Sequence, residues 1–255
     1  MLEYSVQGDI NEIENHLSRM GREQVPFATA LALTRTAKFA QQKVIEEIGR
    51  VFDRPTRYTL NSTFVEAARK NKLWALVKIK DDPTGGGIVP IKFLKSEIYG
   101  GQRARKGFER RLIAAGKMPP NAFAVPTSLI PLDAYGNVPR SQLTKIVSDL
   151  QAQFDATANT TARSRLRRRR SRTKRPTFYF STWPPSQRTQ KLKPGIYVRT
   201  EFGFGSSIKP VFLFVSRASY RRRLRFFEVA DQAARSRFKL EFALAMRQAL
   251  ATAFR

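Results

Sequence analysis

The chain has no cysteine, one histidine and two tryptophans among its 255 residues. Without cysteine there can be no disulfide framework, no thiolate metal site and no cysteine nucleophile, and the redox compartment stays open. The lone His16 falls on the polar side of a short predicted helix. No Ser-His-Asp arrangement can be built around it, so it reads as a solvated side chain. No apolar run approaches the roughly 18 residues that a membrane span needs. The first ten residues, MLEYSVQGDI, lack the charged-then-apolar layout of a signal peptide, so a soluble protein made in a cytoplasm is expected. Carboxylates are scarce as well: from Ala156 through Thr200 there is not one Asp or Glu.

What is present is positive charge. Lys and Arg total 47 against 20 Asp and Glu, a formal charge of +27. A surplus of this size repels itself and is best tolerated beside a polyanion or among acidic neighbours. It constrains partners and says nothing about fold. Hydrophobic residues make up 42% of the chain, including 19 Phe, which is ordinary globular usage and enough for a sizeable core.

Periodicity organises the chain into one elaborated α+β domain, 1–255, whose mostly antiparallel sheet packs against a long helix near the N-terminus and another at the C-terminus. Asp9 with Glu12 resembles a capping box before Ile10, Ile13, Leu17 and Met20, a short helix stopping near Gly21. Pro26 opens the strongest element. There Ala30, Leu33, Ala37, Ala40, Val44, Ile48 and Val51 recur at steps of three or four until Pro55 ends the run. The chain then runs extended to Ser62, and Thr63–Arg69 with Leu73–Lys80 reads as a β-hairpin. Residues 81–87, DDPTGGG, form a turn, and Ile88–Leu94, interrupted by Pro90, an edge strand. Helices are expected over Arg105–Ala115, closed by Gly116, and from Pro139 with Leu143, Ile146, Val147 and Leu150 on one face. Between them, 118–137 is turn-rich and expected to wrap the surface. Strands follow at 177–182, 195–200 and 211–215, and a last helix over 226–254 carries Val229, Ala233, Phe238, Phe242, Ala245, Ala249 and Phe254 on a broad face. Residues 83–176 are expected as an insertion carrying a mobile basic loop over 156–176.

Catalytic chemistry finds little to work with. Asp81-Asp82 could bind a divalent metal, but beside Pro83 and three glycines polar turn chemistry explains them more simply. Gly85–Gly87 lacks the Lys-Ser/Thr that a phosphate-binding P-loop requires. Neither an enzyme nor a cofactor is expected. The chemistry lies in Arg163–Arg175, where Arg163, Arg165, Arg167, Arg168, Arg169, Arg170, Arg172, Lys174 and Arg175 place nine positive charges in thirteen residues. Guanidinium groups grip phosphates bidentately, while blocks of like charge also resist folding, so the run reads as a loop that contacts DNA or acidic subunits. A second cluster, Arg217–Arg225 with Arg221, Arg222 and Arg223 at its centre, offers a similar contact. Phe178, Tyr179, Phe180 and Trp183 alternate as strand residues do, which makes packing their first use and base stacking a lesser one.

One block carries a family resemblance. The Ala-rich Pro26–Ala37 helix, then 52–62 (FDRPTRYTLNS), then 73–81 (LWALVKIKD) together resemble prophage proteins of the minor tail protein Z group, the tail-completion or neck proteins of tailed bacteriophages. Weaker echoes occur at 132–137 and 195–199. The resemblance implies a virion protein without catalytic residues. It would assemble as a homo-oligomeric ring, join tail proteins to the head-side portal or connector, and surround packaged DNA without reading its sequence. Phe52, Pro55, Tyr58 and Trp74, with Phe238 and Phe242 of the last helix, are the expected packing and assembly residues. The alternative is a standalone, sequence-independent basic nucleic-acid-binding protein.

Overall fold

Helix α1, Val25–Val51, begins where Pro26 can occupy the first turn without wasting a hydrogen bond, and ends before Pro55. This computed structural model describes residues 18, 20–82, 88–170 and 176–253. The expected helix over residues 9–21 lies almost wholly outside them, as do His16 and Phe254. At its far end Gly21 does not stop the chain, because Met20–Gln24 forms a π-helical turn that runs straight into α1. The predicted face of α1 is buried at Ala30, Ala37, Ala40, Val44 and Ile48, the last two with no exposed surface.

The architecture is α+β. The chain divides into two compact units, one formed by residues up to Ile98 together with Arg222 onward, the other by Tyr99–Arg221. The segment expected as an insertion, 83–176, falls across both.

In the first unit a single-turn α2, Arg57–Leu60, interrupts the stretch expected to be extended, and Thr56 caps it by accepting from Thr59 N–H. Strands β1, Thr63–Glu66, and β2, Leu76–Ile79, pair antiparallel with Thr63 opposite Ile79, forming the predicted hairpin in shorter form. Ile88–Leu94 is not an edge strand. Pro90 instead starts helix α3, Pro90–Tyr99, placing Leu94 and Ile98 one turn apart on a buried face. Proline suits a first helical turn as well as a strand edge, and the i, i+4 spacing decides between them. The last helix, Phe226–Ala253, packs antiparallel on α1. Near one end Val44, Ile48, Leu94 and Ile98 meet Leu224 and Phe226; near the other Ala28 and Ala32 meet Ala245 and Ala249. Four alanines let the two backbones approach closely, and Phe27, Phe238 and Phe242 fill the space around them.

The second unit is built on a four-stranded antiparallel sheet, order β4-β7-β6-β5, with β4 Phe123–Pro126, β5 Thr177–Ser181, β6 Gly195–Phe202 and β7 Gly205–Val215. Helices α4, Gly107–Ala114, and α5, Arg140–Asp149, supply Leu112, Ile146 and Val147 to a core completed by Met118, Ile130, Ile196 and Phe212. Gly116 adopts φ 65°, a left-handed turn that closes α4. Part of the expected surface wrap is a strand, since Phe123 and Ala124 of β4 are buried. Strand β7 begins six residues before the predicted 211. Its polar first half, containing Pro210, pairs with β6 across an irregularity at Ile196/Tyr197. A two-residue pair, β3 Gly101–Gln102 with β8 Ser219–Tyr220, brings the two ends of this unit together.

Candidate polyanion-binding surface

The arginine run is not a loop where it is described. Residues Ala162–Arg169 form helix α6, preceded by a 3-10 turn at Ala156–Ala158. Thr161 caps α6 by accepting from Ser164 N–H at 3.1 Å. Arginine is a good helix former, and Arg167, Arg168 and Arg169 sit in the last turn, where cations favour the helix dipole. Self-repulsion is further offset by the carboxylates on which the helix lies.

Asp149 at the end of α5 is the chief of these. Its carboxylate takes both Nη atoms of Arg168, at 2.6 and 3.0 Å, and the Thr160 hydroxyl at 2.7 Å. Arg165 donates to the Asp149 carbonyl at 2.9 Å, and Arg169 reaches Glu201 at 3.2 Å. Burial alone would push the Asp149 carboxyl up, but Arg168, Thr160 and the Tyr179 N–H outweigh it and hold it below the usual range. Arg168 also donates to the Thr177 carbonyl at 3.2 Å, while Asp149 accepts from Tyr179 N–H at 3.4 Å. The pair thereby covers the outer edge of β5, a row of backbone groups that would otherwise invite another strand. Tyr179 beneath it accepts from the Gln142 amide, and burial raises its phenol pKa.

The helix thus sorts its arginines. Arg165, Arg168 and Arg169 are spent on the fold. Arg163, Arg167 and Arg170, at i, i+4 and i+7, share one exposed face and form no ion pair with any described residue. Arg172, Lys174 and Arg175 lie outside the described residues. The guanidiniums of Arg168 and Arg169 lie 5.1 and 5.5 Å from the Phe178 ring, and that of Arg199 lies 5.6 Å from Phe180. Those rings are half-buried sheet residues with cations already on them, and packing accounts for them.

The second cluster is sorted in the same way. Arg222 pairs with Glu228, Arg223 with Glu97 at 2.9 Å, and Arg225 approaches Glu47 at 3.7 Å. Arg223 also lies over the Phe52 ring. Arg217 and Arg221 are exposed and form no ion pair among the described residues.

No family model, no curated protein and no solved structure matches this chain.

The remaining expected residues separate by role. Phe52 is half-buried against Val44 and Ile48, and Phe238 with Phe242, their rings 6.0 Å apart, belongs to the α1 contact of the last helix. Pro55 is half-buried at a chain reversal after Arg54, whose φ is 47°. Tyr58 and Trp74 are exposed: the Tyr58 hydroxyl donates to the Ile88 carbonyl, and Lys72 Nζ sits 3.5 Å over the Trp74 ring. Among the described residues no group of three His, Asp or Glu side chains could hold a metal ion, and no helix is long and apolar enough to cross a membrane. Sequence reasoning missed Asp149 and Glu201. A usable signal existed for Glu201, the acid that closes the acid-free stretch on its C-terminal side, but not for Asp149, since Asp155 is the nearer acid on the other side.

Proposed function

We propose that this chain is a structural subunit of a bacteriophage neck, a tail-completion protein that assembles as a ring and contacts packaged DNA through the outward face of α6. The observation that carries the DNA contact is the stripe Arg163, Arg167, Arg170, three exposed cations on a helix whose Arg165, Arg168 and Arg169 are bonded to the rest of the fold. Eight helical residues extend about 12 Å, enough to follow a few phosphates and too little to read a groove. Contact of this kind is independent of base sequence and steep in salt. The neck assignment rests on the resemblance of 25–81, a block spanning α1, α2, β1 and β2. Portal, connector and tail proteins would be its neighbours, and the work is done by surfaces rather than by catalysis.

The same stripe supports a standalone nucleic-acid-binding protein as the second reading. Light scattering after size exclusion, with negative-stain imaging of the peak, separates the two. Rings, alone or on virions, uphold the neck reading; a monomer that binds free DNA tightly sinks it in favour of the second.

A further inference from the structure

The exposed face of α6 is not wholly polar. Leu166 is 48% exposed, three residues after Arg163 and four before Arg170. At roughly 100° per residue it stands between the outward arginines and Arg169, on the side where Arg169 turns to Glu201. Glu201 precedes the tip of the β6–β7 hairpin. There Phe202 pairs with Gly205, leaving Gly203 and Phe204 as a two-residue turn. The Phe204 side chain is fully exposed. A Cβ on Gly203 or Gly205 would meet no atom within 4 Å beyond its chain neighbours, so space is open on both sides of the tip. Three residues span at most about 11 Å, which keeps Phe204 within reach of the helix that Glu201 holds through Arg169.

A bare ring at a hairpin tip, an apolar side chain on the helix beside it and three cations with no ion pair among the described residues suit a ligand with two properties. It carries repeated negative charge, and it leaves apolar, stackable faces uncovered. A duplex meets the first condition only, because its base faces are closed inside the stack and its outer surface is phosphate and sugar. A single strand meets both: its phosphates run along the arginines while an unstacked base lies on the ring. Stacking on an aromatic side chain accepts any base, so the contact stays independent of sequence. We propose that the α6 stripe and the Phe204 hairpin tip together form a binding site for single-stranded DNA, with Phe204 as the stacking platform and Leu166 packed beside the strand. The inference rests on the DNA contact proposed above and names the form of DNA it takes.

Full-length protein is titrated against a labelled oligothymidylate and a labelled duplex of the same length, at matched salt, by fluorescence anisotropy. The single strand should bind more tightly. Phe204→Ser should weaken single-strand binding by about fivefold or more, the lower end of what one aromatic–base stack contributes, and leave duplex binding and the melting temperature unchanged. Phe204→Trp should keep the affinity, and its added indole fluorescence should be quenched by the oligonucleotide. A Phe204→Ser protein that binds the single strand as the parent does overturns the inference, and duplex binding retained alongside leaves the DNA contact standing. Binding of neither probe overturns both. Vesicles of phosphatidylserine and phosphatidylcholine form the last arm: capture that Phe204→Ser abolishes, with single-strand affinity unchanged, reassigns the tip to a lipid surface and overturns the inference.

Discussion

Replacing arginines on the two sides of α6 should have opposite consequences. The triple variant Arg163→Ser, Arg167→Ser, Arg170→Ser removes three exposed cations without ion pairs among the described residues, so the fold should melt within a degree or two of the parent. Its DNA affinity should depend less on salt: three phosphates left without a neutralising cation change the slope by about 2.7, roughly 40-fold in affinity over a fourfold rise in salt. Arg168→Ser removes the partner of Asp149, whose side chain is 3% exposed, and uncovers Thr177 C=O. Breaking a buried pair from one side costs about 3–5 kcal/mol; with Arg168 itself 26% exposed the lower figure applies, a fall in melting temperature on the order of 10 °C. Circular dichroism melts and fluorescence anisotropy on a labelled duplex from low to moderate salt measure both effects. A triple variant that melts early, or an Arg168 variant that keeps its stability and flattens the salt slope, would refute this sorting of the arginines.

Acid should weaken the second unit. Glu109, fully buried, is pushed up by burial but held low by Arg103 and by the Lys106 and Ala124 N–H groups, and Asp149 is held low in the same way. Carboxyls depressed in the folded state stabilise it fully above the ordinary range near 4 and lose that contribution as pH falls through their folded pKa. Urea midpoints should therefore drop between pH 6 and pH 3, and Asp149→Asn should flatten that drop; an unchanged slope counts against the pair. Val44→Asp or Ile48→Asp places a charge where no surface is exposed, so soluble folded protein should be lost, as fractionation and light scattering would show. Gly195→Ala should cost about 1–3 kcal/mol, because its Cβ would come 2.3 Å from Phe212 O, a backbone atom that cannot swing aside; a melt matching the parent's would mean β6 shifts freely.

The long helices are legible because α1 repeats its small and apolar residues at helical spacing for seven turns and has proline near both ends. The hairpin β1–β2 is legible by alternation. Ile88–Leu94 misleads because one proline can mark either a strand edge or a helix start, and the helical spacing that settles it runs on to Ile98. Strand β4 escapes because Phe123-Ala124-Val125 is short and lies among prolines, so only pairing with β7 identifies it. At the site, charge density is visible in the sequence and its division is not. Arg168 and Arg167 are neighbours in a run of like residues, and what separates them is a carboxylate nineteen positions before Arg168, brought close by tertiary folding.

The pairing of β3 with β8 also bears on the order in which the chain can fold during synthesis. The second unit is continuous in sequence, and its ends are joined by Gly101 opposite Tyr220, so all its residues are available to pack once residue 221 has left the ribosome. The first unit is not. Ala28, Ala32, Val44 and Ile48 must wait for Phe226 to Ala249 before they can be buried, some two hundred residues after α1 emerges. At about 5–20 residues per second that is on the order of 10–40 s with an apolar face unshielded. The middle of the protein can thus be native while α1 is still unpartnered, and a chaperone has most to bind at α1.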